Sequence, residues 1–125
     1  MALGVVVGLV LSFAVARRRP SLGRAGVPEL AFLAAAAAGE EALWRGVVLG
    51  ELLSSGIPAA FAGSTLGFAL AHRGRPGLHL GTGAAFGCVY LATGVLAASI
   101  AAHWIYNALL LSRLAREREP GGAPP

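Results

Sequence analysis

The sequence predicts an all-α fold, a polytopic transmembrane bundle of about five membrane helices. The 125 residues are 56% hydrophobic and only 13% charged, whereas soluble domains are about 45–50% apolar and about 25% charged. Several apolar stretches approach the roughly 20 residues that cross a hydrocarbon core, and short arginine-containing breaks separate them. The stretches lack the strict alternation of strands, and helices satisfy their backbone hydrogen bonds within each segment, as a bilayer requires.

The first predicted segment, residues 2–16, is apolar and ends at the arginines of residues 17–19. No basic residue precedes it, which is the reverse of a signal peptide, so we expect a retained anchor. A loop that contains proline, glycine and a further arginine follows it. Residues 1–28 are therefore predicted to form an N-terminal membrane anchor and a cytoplasmic loop.

The second segment, residues 29–54, carries its charged residues in the middle and ends at a break made by Gly56 and Pro58. The third segment, residues 58–71, leads into His72. An arginine- and glycine-rich loop separates the third segment from the rest of the chain. The second and third segments are expected to pack as consecutive helices.

The fourth segment covers residues 78–92, and Thr93-Gly94 is predicted to be a short turn. The fifth covers residues 95–114. Residues 29–114 thus form the predicted core, and residues 115–125 are expected to be a disordered tail.

The arginines also predict an orientation. If five helices alternate in direction, the loops at residues 17–24 and 73–75 and the stretch at residues 113–118 all lie on one face, which the positive-inside rule makes cytoplasmic. The turns at residues 54–58 and 93–94 contain no arginine and are expected outside. We therefore expect an integral, multi-pass plasma-membrane protein whose first partner is the lipid bilayer.

The charged residues are of two types only, ten Arg and six Glu, without any Lys or Asp. An aspartate dyad, a Ser-Lys pair and a Schiff-base lysine are therefore excluded. The single cysteine, Cys88, cannot form an internal disulfide or a cysteine-rich zinc site, and we expect it in the core. Because the arginines lie beside apolar segments, nucleic acid is not an expected partner.

Ionisable side chains inside apolar helices cost about 2.5–3.5 kcal/mol each and suggest function by default. Glu41 and Arg45 are spaced i,i+4, and we favour a structural pair that neutralises itself and holds the bundle together, although a role in the site stays open. Glu40 has Leu43 and Trp44 at i+3 and i+4. Without a local cationic partner, Glu40 suits the role of a general base.

Three further polar residues complete a candidate catalytic set with Glu40. His72 follows Phe68 by one turn, and His103 and Asn107 project from one face of the fifth helix. A carboxylate, two imidazoles and an amide are the groups needed to activate water and stabilise an oxyanion. The third histidine, His79, has no such spacing partner and is interpreted as an interfacial residue.

The order of these residues resembles the motifs of a known family. Residues 40–45 read EExxxR, residues 68–72 read FxxxH and residues 103–107 read HxxxN. They are similar to the three motifs of the CAAX prenyl protease and bacteriocin-processing (CPBP, or ABI) family of intramembrane metalloproteases. The resemblance covers residues 29–114, and it implies an all-helical membrane fold with a polar intramembrane cavity that opens towards the cytoplasm.

The resemblance also implies roles for individual residues. Glu40 and His72 would activate the hydrolytic water, and His103 and Asn107 would polarise the scissile carbonyl and hold the oxyanion. The supporting residues would be Glu41, Arg45 and Phe68.

The cofactor is left open by this resemblance. Glu40, His72 and His103 would hold one divalent metal such as zinc if a metal is bound, and would act as an acid/base set if none is. Members of the family have further spans before the first motif, where this chain has only residues 2–16. A homo-oligomer could therefore supply cavity walls.

We predict an intramembrane endopeptidase, a hydrolase that cuts peptide, membrane-protein or prenylated substrates through a Glu-activated water. Other intramembrane peptidases do not fit, because there is no HExxH motif and Gly63-Ser64 lacks the GxSG context of a serine peptidase. Two non-peptidase alternatives stay open. One is a proton- or ion-translocating subunit with buried Glu and His, and the other is a non-catalytic membrane immunity or adaptor protein with the same fold.

Overall fold

The computed structural model describes residues 26–116. The predictions for the anchor segment at residues 2–16, for the loop at residues 17–24 and for the tail beyond residue 116 lie outside the described residues.

The described chain begins with one long helical element. Helix α1, Val27–Glu41, continues without a break into a π-helical segment, Ala42–Leu49. One α-helical turn, Gly50–Leu52, and a short 3₁₀ turn, Leu53–Ser55, end the element. π-Helical turns are rare and often occur at functional sites, and this one begins directly after the two adjacent glutamates.

Three further helices follow, and their bounds lie within two residues of those predicted from the sequence. They are α2, Ile57–Ala71, α3, Pro76–Thr93, and α4, Leu96–Arg116. The all-α prediction is therefore confirmed for the described residues.

Proline and glycine determine where these helices begin and end. Pro58 lies in the first turn of α2 and Pro76 begins α3, where a missing N–H costs no hydrogen bond. Gly56 has φ 93°, a conformation that glycine adopts without strain. Gly94, at φ 66°, ends α3 and donates its N–H to the Tyr90 carbonyl at 2.8 Å, as expected for a left-handed helix cap.

The helices form a closed ring. α1 packs against α4, α4 against α3, α3 against α2, and α2 against the π-helical segment of the first element. The short connections make consecutive helices antiparallel neighbours. Side chains that face inwards from all four helices can therefore meet at the centre of the bundle.

The interior of this bundle is unusually polar. Its buried polar and charged residues are Glu40, Glu41, Arg45, Ser64, Thr65, Ser99 and His103. Large apolar residues, by contrast, are exposed on the outer surfaces of the helices. Cys88, which we expected in the core, lies on the exposed side of α3.

Within residues 26–116, none of the helices combines the length and the hydropathy of a membrane span. The prediction that the helices of this bundle span a membrane is therefore not confirmed.

Glycine allows close contact between α2 and α3. A Cβ added at Gly83 would lie 2.9 Å from Cδ1 of Phe68, which is 2% exposed and has no room to move, whereas a Cβ at Gly81 would meet nothing. We expect Gly83→Ala to lower the free energy of unfolding by about 1–3 kcal/mol through overpacking. Gly81→Ala should be neutral or stabilising. Denaturant unfolding of the two purified variants followed by circular dichroism measures this, and equal stabilities would contradict the packing.

Candidate active site

Glu40 lies near the end of α1 with its carboxylate inside the bundle. Its Oε2 atom is buried and has no aligned hydrogen-bond partner among the described residues. Two imidazole nitrogens approach this oxygen: Nε2 of His72 at 3.3 Å and Nε2 of His103 at 3.9 Å. Residues from three separate helical regions thus converge on one carboxylate oxygen.

His72 is oriented by its other ring nitrogen. Nδ1 lies 2.7 Å from the carbonyl oxygen of Phe68, one turn earlier in the chain. Because a carbonyl can only accept, Nδ1 must carry the proton of this hydrogen bond. The Phe68 ring lies against the imidazole, with 4.4 Å between centroids. Nε2 is therefore the atom presented to Glu40.

His103 is oriented in the same way by a different acceptor. Its Nδ1 lies 2.9 Å from Oε1 of Glu41, so the proton on Nδ1 is donated to a carboxylate. The ring stacks on Phe86, with centroids 4.5 Å apart and planes 18° apart. Both histidines thus use Nδ1 for support and direct Nε2 at Glu40.

Glu41 connects the first helical element to α4. It pairs with Arg45, Nη1 to Oε1, at 3.1 Å with both side chains fully buried, so the predicted structural pair is present. The same carboxylate accepts hydrogen bonds from the Ser99 hydroxyl and from Nδ1 of His103, both on α4. Glu41 therefore supports the bundle and orients His103 at once.

Arg45 extends this network to α3. Its Nη2 donates to the carbonyl of Gly83, and its guanidinium carbon lies 5.0 Å from the centroid of the Phe68 ring. Both contacts favour a buried cation. Arg45 thus links Phe68, which contacts His72, with Glu41, which binds His103. Among the described residues it makes no hydrogen bond with Glu40.

Asn107 lies one turn beyond His103 on α4 and is half-buried. Within residues 26–116 its side chain makes no hydrogen bond with Glu40, His72 or His103. The structure therefore brings together three of the four predicted catalytic residues, and a contact of Asn107 with substrate stays a prediction.

Three contributors were missed by the sequence interpretation. Ser99 precedes His103 by one turn, a spacing that could have indicated its position on the same face. Phe86 and His79, which stack on His103 and His72 respectively, had no signal in sequence spacing. His79 was interpreted as interfacial because it has no spacing partner, and spacing did not indicate its stack on His72.

Among residues 26–116, no group of three His, Cys, Asp or Glu side chains is arranged to hold a metal ion. The ligand set of Glu40, His72 and His103, named for the case that a metal is bound, stays a prediction.

His72 lies beyond the end of α2, and its interaction with the Glu40 carboxylate raises the pKa of the imidazole above 6.5, against the opposing effect of burial. A raised folded-state pKa means that the stabilisation is fully present below pH 6.5 and is lost as the pH rises through that pKa. We expect the stability difference between the wild type and His72→Ala to shrink over that range. Unfolding free energies across a pH series measure it, with Glu40→Gln as a control that should flatten the profile. A difference that grows with pH would contradict the assignment.

Comparison with protein families gives a match. The family model described as Type II CAAX prenyl endopeptidase Rce1-like matches residues 26–109, more than half of the chain. That stretch contains all the residues just described. Comparison with curated proteins and with solved structures gives no significant match.

Proposed function

Because the chain belongs to the type II CAAX prenyl endopeptidase Rce1-like family, we propose that it is a membrane-embedded endopeptidase in which Glu40 activates the hydrolytic water. The observation that carries the proposal is the buried Glu40 Oε2, which lacks an aligned hydrogen bond yet lies close to two imidazole nitrogens. A buried carboxylate oxygen without a partner is costly. A water molecule that donates to it would remove that cost and become a nucleophile.

In the first step, Glu40 takes a proton from this water as the oxygen attacks the scissile carbonyl carbon. His72 lies beside the same carboxylate oxygen at 3.3 Å. It orients Glu40 and stabilises its charge before the proton moves. The carbon–oxygen bond forms, and the carbonyl oxygen becomes an oxyanion.

His103 is placed to meet that oxyanion. With a proton on Nε2, the ring would donate to the oxyanion while Nδ1 donates to the Glu41 carboxylate. Asn107, one turn away, would supply a second donor through its side-chain amide.

In the last step the tetrahedral intermediate collapses. The carbon–nitrogen bond breaks, and the proton held by Glu40 passes to the leaving amine. The products are a new carboxylate and a new amine, and Glu40 returns to its ionised form.

The distribution of polarity supports a position inside a membrane. Charged residues of membrane proteins face the bundle interior, as Glu41 and Arg45 do here with no exposed surface. On the outer surface, Leu70 is 82% exposed and Leu109 is 64% exposed. We propose that these faces contact lipid, and that the loop with Arg73 faces the cytoplasm.

The substrates proposed are membrane-associated peptides, including prenylated ones. The description of the matched family names a CAAX prenyl endopeptidase. A prenyl chain would hold the peptide in the bilayer and so bring its peptide bond to the depth of the site.

The test uses the full chain purified in detergent with a quenched farnesylated CAAX peptide and the same peptide without the lipid. We expect the wild type to cut the lipidated peptide, and His72→Ala and His103→Ala to cut it about 10²-fold more slowly. A chelator arm with metal analysis examines cofactor dependence. Absence of cleavage by the wild type would favour a non-catalytic adaptor, and proton flux into liposomes that requires Glu40 would favour a translocating subunit.

A further inference from the structure

His72 is the one residue of the candidate catalytic set that lies outside a helix. α2 ends at Ala71, and His72 has extended backbone angles, φ −98° and ψ 123°. It is followed by a loop in which Gly74 has φ 119°. Glu40 and His103, in contrast, lie on α1 and α4, whose backbones are fixed by helical hydrogen bonds. The orientation of the His72 ring therefore depends on its side-chain contacts.

The His72 ring also contacts a residue with no assigned role. The Phe68 ring covers His72 with 4.4 Å between centroids, and Nδ1 binds the Phe68 carbonyl. The ring of His79 also stacks on His72, with centroids 4.6 Å apart and planes 25° apart. The Phe68 and His79 centroids are 6.4 Å from each other.

His79 is itself held by helical backbone. It lies in the first turn of α3, where its N–H donates to the carbonyl of Arg75 at 3.1 Å. Its side chain makes no hydrogen bond within residues 26–116, so its contact with the site is through the face of the ring. The His79 ring, on α3, thus packs against a ring that lies just beyond the end of α2.

We propose that His79 is a positioning residue that holds the His72 imidazole, together with Phe68, so that Nε2 stays directed at Glu40. The proposal rests on the proposed peptidase function for its effect on catalysis, and on geometry alone for its effect on His72. Stacking requires a flat ring rather than a titratable nitrogen. Phenylalanine at this position should therefore serve nearly as well as histidine, and alanine should not.

The first experiment compares His79→Phe, His79→Ala and a control, Leu80→Ala, which changes an exposed residue one position along the same helix. We expect His79→Ala to lower kcat about 10- to 100-fold with little change in KM, because misplacement of a catalytic group by about 1 Å has effects of this size. His79→Phe and Leu80→Ala should stay close to the wild type. Equal losses in His79→Ala and His79→Phe would assign His79 to proton transfer and overturn the proposal.

The second experiment is independent of activity. Diethylpyrocarbonate modifies accessible imidazoles, and peptide mass spectrometry gives the rate at His72 relative to the buried His103. We expect the relative rate at His72 to rise severalfold in His79→Ala and to stay unchanged in His79→Phe and Leu80→Ala. If the wild type proved to have no peptidase activity, this rate would still decide the positioning role. An unchanged rate in His79→Ala would overturn it.

Discussion

Glu40→Gln should lower kcat by about 10²–10⁴-fold, the range found when a general base is lost, while the bundle stays folded. The substitution keeps the shape of the side chain but removes its capacity to take a proton from water. KM should change little, because the carboxylate acts on the water rather than on the substrate. Stability should also change little above the pKa of His72, where the imidazole is neutral and the wild-type Oε2 makes no aligned hydrogen bond that the amide could lose.

The matched control is Glu51→Gln, the same chemical change at an exposed glutamate on the first helical element. Both variants would be purified in the same detergent, checked by thermal unfolding, and assayed for kcat and KM on one lipidated peptide. A Glu40→Gln protein with wild-type kcat would show that Glu40 is not the base. A similar loss in Glu51→Gln would show that charge alone, rather than position, affects the assay.

Glu41→Ala should have the largest effect on stability, about 3–5 kcal/mol, because it leaves the buried Arg45 cation without its partner. It also removes the acceptor for Ser99 and for Nδ1 of His103. Loss of the orienting carboxylate should reduce kcat in the fraction that stays folded. Denaturant unfolding and kcat per folded molecule measure the two effects separately.

A double variant, Glu41→Leu with Arg45→Met, separates fold from site. Replacing both charges by apolar side chains of similar volume should restore much of the stability. It should not restore activity, because His103 would still lack its acceptor. A fully active double variant would contradict the role of Glu41 in orienting His103, and a Glu41→Ala protein as stable as the wild type would contradict the contribution of the ion pair.

The helices were predictable because their ends carry local signals. Pro58 and Pro76 occur in the first turns of α2 and α3, and Gly56 and Gly94 occupy backbone conformations with positive φ. Such residues act on their immediate neighbours, so reading them needs no knowledge of tertiary structure. The i,i+4 pair of Glu41 and Arg45 was predictable for the same reason.

The contacts between helices were not predictable in this way. Ser99 and His103 both bind Glu41, although 58 and 62 residues separate them from it. Helical spacing states which residues share a face, but not how that face is rotated towards a neighbouring helix. The role of Glu41 was therefore underestimated. The stack of His79 on His72 depends on the loop between α2 and α3, whose path no periodicity describes.

The central claim is that water, activated by Glu40, hydrolyses a peptide bond. The most direct measurement is mass spectrometry of the products after the purified chain has acted on a farnesylated peptide in H₂¹⁸O. We expect cleavage at a defined bond, with one heavy oxygen in the new carboxylate, and almost no product from Glu40→Gln in the same solvent. Equal product from the wild type and Glu40→Gln, or a carboxylate without the heavy oxygen, would contradict it.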